Sequence, residues 1–117
     1  MVTKALIDEN TIRELREAVG EDYLPELIQA YLEETPMLLQ NLKEALAAGD
    51  VSAFTRAAHS IKSSSASLGA LDFSAQAKEL ELIGKTGDLN AVGDRAARLA
   101  DGYSQIEAAL MDLMPRG

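Results

Sequence analysis

The chain has 117 residues, with 19 Asp and Glu against 11 Lys and Arg, and its formal charge at pH 7 is −8. It contains no Cys and a single His, so it cannot build a disulfide framework, a Cys nucleophile or a zinc site made of several Cys or His ligands. The acidic balance argues against nucleic acid as a partner, because neutralisation of phosphates dominates that affinity.

The length suits one domain spanning residues 1–117, and 47 % hydrophobic residues are enough for a single core. No stretch approaches the roughly 20 apolar residues of a membrane span, and the N-terminus lacks the basic start and long apolar run of a signal peptide. We therefore expect a cytoplasmic protein with no membrane segment. The initial Met and the end of the chain soon after its last apolar position predict a complete small protein, with a module of a larger sensor kinase as the alternative.

Ala, Leu and Glu dominate the composition, which favours helix almost throughout, and glycines divide the sequence into five segments. The first predicted helix, residues 11–19, opens with the capping box Thr11-Ile12-Arg13-Glu14. The second, residues 22–48, contains Pro36, which removes a backbone donor and predicts a kink or a break near Glu34 to Pro36.

The third predicted helix, residues 51–68, carries the only histidine. Its inward stripe is Phe54, Ala57, Ala58, Ile61, Ser65 and Leu68. At about 100° per residue, His59 lies about 160° from Ile61, so its side chain is predicted to point into solvent. The same face carries Arg56, Lys62, Ser63 and Ala66, and this surface is locally basic and made mostly of small side chains. Another protein could therefore approach the imidazole closely.

The fourth predicted helix, residues 72–84, places Ser74, Lys78, Glu81 and Lys85 on one face beside an apolar stripe. The fifth, residues 88–114, has Asp88 as its N-cap and apolar positions alternating three and four apart. Four long amphipathic segments with short connections predict an all-α fold. We expect an antiparallel four-helix bundle, up-down-up-down, with a short N-terminal capping helix.

The run from Ala58 to Ala70, AHSIKSSSASLGA, resembles the signature of histidine-containing phosphotransfer (HPt) domains of two-component phosphorelays, A-H-x-L-K-G-x-S-x-x-L-G-A. The segments D-Y-L-P-E-L, E-E-T-P and A-G-D before it and E-L-E after it are also similar to the family, so the resemblance extends from about Ile12 to Leu110. One position departs from the signature: Ser63 stands where the family usually has Gly.

The resemblance implies that His59 accepts a phosphoryl group from the aspartyl phosphate of one receiver domain and passes it to the aspartate of another. Lys62 would stabilise the charge of the phosphoryl group, and Glu81, at the position counted along the motif, would orient the His59 ring. Further contacts with the phosphoryl group or the partner would come from Arg56, Ser63, Ala66 and Lys78.

The same resemblance implies receiver domains of hybrid sensor kinases and response regulators as partners, a monomer, no bound cofactor, and Mg²⁺ supplied by the partner receiver. The sequence has no Gly-rich phosphate-binding loop, so we expect a phosphotransfer intermediate without kinase activity of its own.

Two other functions can be weighed against this one. A di-iron bundle would need Glu-x-x-His pairs on two helices; the chain has a single His, preceded at three residues by Arg56, so this function is excluded. The open alternative is an adaptor that docks receivers independently of phosphate.

Overall fold

Helices account for most of residues 6–114, the part of the chain that the computed structural model describes. The helices are α1 (Glu9–Val19), α2 (Leu24–Ala48), α3 (Val51–Ser67), α4 (Leu71–Lys85) and α5 (Arg95–Met111). A short 3₁₀ turn, Leu89–Val92, precedes α5, and no strand occurs within residues 6–114. The predicted all-α fold is therefore confirmed. Both chain ends, on which the prediction of a complete protein depends, lie outside the described residues.

The four long helices form a closed bundle. Helix α3 packs against α2 and α4, and α5 in turn contacts both α4 and α2, so each of these helices has two neighbours. The largest fully buried side chains come from all four helices: Ile28, Leu42, Phe54, Ile61, Leu80, Leu99 and Leu110. The buried Tyr31 hydroxyl shares a 2.7 Å hydrogen bond with Ser65, which ties α2 to α3 inside this core. No helix in the described part of the chain is both long and apolar enough to cross a bilayer.

The start of α1 differs from the prediction. Asp8 is the N-cap: its carboxylate accepts hydrogen bonds from the Thr11 backbone N–H at 3.0 Å and from the Thr11 hydroxyl at 2.6 Å. The predicted Thr11 capping box is wrong, because an aspartate three residues earlier accepts the free Thr11 N–H as the N-cap and the helix begins at Glu9. The Asp8 N–H also donates to the Gly69 carbonyl at 2.8 Å, which attaches α1 to the connection between α3 and α4.

Helix α2 continues through Pro36. It starts at Leu24, two residues after the predicted boundary, and runs unbroken to Ala48. The break expected near Glu34 to Pro36 is wrong, while a kink within the continuous helix stays a prediction. Proline removes one backbone hydrogen bond, and buried side chains on both sides of it, among them Ile28 and Leu42, hold the two halves of the helix against the core.

The predicted helix over residues 88–114 is divided in the structure. Asp88 accepts a hydrogen bond from the Asn90 N–H at 3.0 Å, but it caps the 3₁₀ turn and not a long helix. Gly93 follows with φ +55° and ψ −128°, a conformation that residues with a Cβ rarely adopt, and α5 begins at Arg95. The prediction of one continuous helix is wrong. The apolar spacing continues from the turn into α5, because Val92 in the turn is as fully buried as the core positions of α5, and the spacing therefore does not reveal the break.

Candidate functional site

Helix α3 presents His59 to solvent, as the helical spacing predicts. The His59 side chain is 57 % exposed, whereas Ala58 beside it and Ile61 two residues later are fully buried. The helix is held in this rotation by its apolar stripe, since turning His59 inward would bring Phe54 and Ile61 to the surface. The imidazole is therefore accessible to a second molecule from the outside of the bundle.

The buried carboxylate of Glu81, on α4, holds one side of the His59 ring. His59 Nδ1 lies 2.7 Å from Glu81 Oε2, and the Glu81 side chain is only 5 % exposed. An ionised carboxylate can only accept hydrogen bonds, so Nδ1 is the nitrogen that carries the proton. In the neutral ring this leaves the lone pair on Nε2, the nitrogen farther from Glu81.

Two lysines complete the surroundings of the Glu81 carboxylate. Lys62 Nζ donates to Oε1 at 2.6 Å, and Lys85 Nζ lies 3.7 Å from Oε2. The hydrogen bond from Lys62 has the largest influence on the pKa of Glu81 and lowers it. Burial raises this pKa, whereas His59 and Lys85 lower it further. Together they lower the pKa of Glu81 to about 2. Glu81 is thus an anion at neutral pH, despite its burial.

Close packing of α4 on α3 brings Glu81 within reach of His59. Ser74, two turns before Glu81, donates its hydroxyl to the backbone carbonyl of Lys62 at 2.7 Å. On the other side of Glu81, Gly84 faces Thr55, and a Cβ at position 84 would overlap the Thr55 hydroxyl. A small residue at each contact point lets the two helices approach closely, and the carboxylate then spans the remaining gap.

The other predicted site residues lie outside this hydrogen-bonded cluster. Ser63 is exposed on the His59 face, and Ala66 is half-buried one turn farther along α3. Arg56, three residues before His59 on α3, lines a groove of about 580 Å³ between α2 and α3. Lys78 is exposed on α4 and makes no ion pair with the described residues. The structure therefore joins His59, Lys62 and Glu81, and leaves Arg56 and Lys78 at the periphery.

Sequence reasoning did not assign Lys85 to the site, although it placed this residue on the same face as Glu81. The spacing of four residues between Glu81 and Lys85 is the spacing of helical ion pairs and could have identified it. Within residues 6–114, no group of three or more His, Cys, Asp or Glu side chains is placed to hold a metal ion. The chemistry that these residues offer is an exposed imidazole nucleophile with ammonium groups beside it.

A helical bundle that presents an exposed histidine, held by a buried carboxylate and flanked by lysines, is chemically suited to accept a phosphoryl group and pass it on. The chain belongs to the Hpt domain family, whose model matches residues 26–109. It is similar to the phosphorelay protein LuxU of Vibrio vulnificus, strains YJ016 and CMCP6, with 28 % identity over 110 residues, covering 88 % of this chain and 96 % of LuxU.

The fold is also similar to the crystal structure of histidine-containing phosphotransfer protein B (HptB) from Pseudomonas aeruginosa PAO1. The TM-score is 0.86 at 25 % sequence identity, and the match covers 94 % of this chain and 95 % of HptB. The function of the chain is accordingly histidine phosphotransfer in phosphorelay signalling.

Proposed function

We propose that His59 is the residue that carries the phosphoryl group and that its Nε2 is the attacking atom. The observation that supports this most directly is the 2.7 Å hydrogen bond between Nδ1 of His59, the only histidine of the sequence, and Glu81, because it leaves Nε2 as the free nitrogen. The Nε2 lone pair forms a bond to phosphorus while the bond from phosphorus to the aspartyl oxygen of the donor breaks, and the aspartate leaves as a carboxylate. The ring keeps its Nδ1 proton, and the Glu81 anion balances the positive charge that develops on the ring.

Lys62 stabilises the transferred group in this proposal. Phosphoryl transfer depends mainly on alignment and on neutralising the charge of the equatorial oxygens. Lys62 lies one turn from His59, and its side chain is 26 % exposed, so that rotation about its side-chain bonds can move the ammonium from Glu81 to a phosphoryl oxygen. Lys85 then remains beside Glu81, and the carboxylate keeps a cationic neighbour throughout the transfer.

The other predicted site residues take part in binding the partner protein in this proposal. The exposed hydroxyl of Ser63 lies on the His59 face within reach of a phosphoryl oxygen or of the partner, and Ala66 keeps the surface low for a close approach. Arg56 and Lys78 attract an acidic partner from either side of His59. The partner is the receiver domain of a hybrid sensor kinase or a response regulator, and its acidic pocket supplies Mg²⁺. The chain acts as a monomeric relay intermediate and does not phosphorylate itself.

The test is phosphate transfer from a radiolabelled receiver domain to the wild-type chain and to His59→Gln. We expect label on the wild type, acid-labile and alkali-stable as a phosphoramidate is, and none on His59→Gln. Label on the substituted protein would contradict the assignment of His59. If neither protein takes up label but both bind the receiver equally well, the phosphate-independent adaptor is the correct function.

A further inference from the structure

Lys85 lies at the edge of the His59 site, one turn after Glu81 on α4. Its Nζ is 3.7 Å from Oε2 of Glu81, the same oxygen that accepts a hydrogen bond from His59 Nδ1. This distance is that of an ion pair and is too long for a hydrogen bond. The Lys85 side chain is 61 % exposed, so its ammonium has room to move the short distance that a hydrogen bond to Oε2 requires. Lys85 is thus a cation that stands close to the buried carboxylate without being fully engaged by it.

Lys62 is the cation that Glu81 binds directly, and phosphotransfer makes a second demand on it. Lys62 Nζ donates to Glu81 Oε1 at 2.6 Å. In the proposed function the same ammonium turns to an equatorial oxygen of the phosphoryl group and neutralises its charge. Glu81 then loses the partner that lowers its pKa most. Because the Glu81 side chain is only 5 % exposed, leaving its charge without a cation would be costly.

Lys85 is placed to replace Lys62 at this moment. Besides Lys62, the groups that lower the pKa of Glu81 are His59 and Lys85. His59 is the ring that Glu81 has to hold, and it develops positive charge only as the phosphoryl group is transferred. Lys85 carries its charge throughout, and it faces the same carboxylate oxygen as Nδ1.

The other acidic residues of α4 do not compete for Lys85 from the same side of the helix. At about 100° per residue, Lys85 lies about 40° from Glu81 around the helix, whereas Glu79 lies about 160° and Asp72 about 180° from it. Both of these carboxylates are exposed. Helix α3, against which Glu81 packs, contains no acidic residue. The charge next to the Glu81 carboxylate therefore comes from cations on both helices.

We propose that Lys85 is a positioning residue for phosphotransfer, which pairs with Glu81 while Lys62 contacts the phosphoryl group. This inference rests on the proposed function of His59. With Lys85 on Oε2, Glu81 stays ionised and keeps its hydrogen bond to Nδ1–H, and the ring keeps the orientation that directs Nε2 at phosphorus. No bond forms or breaks at Lys85, and the proton stays on Nδ1. Lys85 acts through Glu81 and does not touch the transferred group.

The test compares Lys85→Met with Lys43→Met, a control that removes the same charge from an exposed lysine in the groove between α2 and α5. With a phosphorylated receiver as donor, we expect Lys85→Met to lower kcat about fivefold, the upper end of the range for an ion pair near the surface, and to leave KM within about twofold. Lys85→Arg keeps the charge and should restore most of kcat. Lys43→Met should match the wild type. A wild-type kcat in Lys85→Met would overturn the proposal.

A double substitution shows whether Lys85 acts through Glu81. In Glu81→Gln the carboxylate charge is absent, so adding Lys85→Met should lower kcat no further. An equal fall with and without the carboxylate would mean that Lys85 acts elsewhere, contrary to the proposal.

Urea denaturation separates a purely structural role, because a cation in the last turn of α4 also favours the C-terminus of that helix. If that were its only role, Lys85→Met would lower the free energy of unfolding and leave kcat unchanged.

Phosphoramidate, a small phosphodonor, distinguishes this role from attraction of the receiver. Lys85→Met should slow uptake from phosphoramidate by a similar factor, because the His59 ring needs the same orientation with either donor. A defect that occurs only with the receiver, and only as a raised KM, would assign Lys85 to docking and refute its action on Glu81. If the wild type takes up phosphate from neither donor, the proposed function of His59 itself has failed.

Discussion

Glu81 links the nucleophile to the charges around it, because its two carboxylate oxygens serve different partners. Oε2 accepts from His59 Nδ1, and Oε1 accepts from Lys62. A single buried side chain therefore fixes the tautomer of the ring and holds the ammonium group one turn away from it. These two tasks depend on different properties, since the first needs only a hydrogen-bond acceptor and the second needs a negative charge.

Glu81→Ala and Glu81→Gln separate the two tasks. A hydrogen bond to a charged group contributes about 1.5 to 3 kcal/mol, so we expect Glu81→Ala to slow phosphotransfer about 10- to 100-fold. Glu81→Gln keeps an acceptor for Nδ1–H and should recover part of this loss. Rapid-quench measurement of transfer from a phosphorylated receiver gives the rates, and ¹⁵N NMR of the imidazole reports the tautomer. A wild-type rate in folded Glu81→Ala would show that ring orientation does not limit the transfer.

The distance between α3 and α4 decides whether Glu81 can reach His59 at all. Gly84 allows this distance to be short, because Thr55 occupies the space that a side chain at position 84 would need. In an open helix, replacing Gly by Ala stabilises by about 1 kcal/mol. At position 84 the overlap with Thr55 makes the same replacement destabilising, and overpacking of this kind costs about 1 to 3 kcal/mol.

We therefore expect Gly84→Ala to lower the free energy of unfolding and also to slow phosphotransfer, because α4 is pushed away from α3. Gly102→Ala is the matched control: Gly102 lies within α5, a Cβ there would meet open space, and this change should raise the free energy of unfolding. Urea denaturation measures both variants. Adding Thr55→Ala to Gly84→Ala should restore part of the stability and rate, and equal effects of Gly84→Ala and Gly102→Ala would contradict the close approach.

Helical periodicity was sufficient to predict which face each element buries. It placed His59 outward and Glu81 on the side of α4 next to the apolar stripe, and both positions agree with the structure. It could not predict how near two helices lie, so the contact of Gly84 with Thr55 and the full burial of Glu81 were not foreseen. The interruption at Gly93 was missed for a related reason, because apolar spacing records burial and not backbone conformation.

At the scale of the whole molecule, the net charge of −8 conceals a cluster of opposite sign. Three lysines, Lys62, Lys78 and Lys85, lie on or beside the surface around His59, while Glu81 is the acidic residue buried beneath it. The acidic remainder of the chain opposes non-specific association with other acidic proteins. The lysines beside the nucleophile attract negative charge to that face locally.

The buried carboxylate also makes the stability of the bundle depend on pH. The pKa of Glu81 is about 2 in the folded chain, below its ordinary value of 4.5. The folded state therefore binds the proton less tightly than the unfolded state, and the stabilisation by ionised Glu81 is complete above about pH 4.5 and is lost as the pH falls toward 2. We expect the difference in unfolding free energy between the wild type and Glu81→Gln to shrink over this interval.

Urea denaturation of both proteins at several pH values between 7 and 2.5 measures that difference. All other acidic residues are common to the two chains, so their titration cancels and the difference isolates Glu81. With Lys62→Ala in both chains, the difference in unfolding free energy should change less with pH, because the hydrogen bond from Lys62 is the main cause of the lowered pKa of Glu81. A difference between wild type and Glu81→Gln that stays constant with pH would mean that Glu81 has the same pKa in the folded and unfolded chains, so that Lys62, His59 and Lys85 would only offset the effect of burial on the carboxylate.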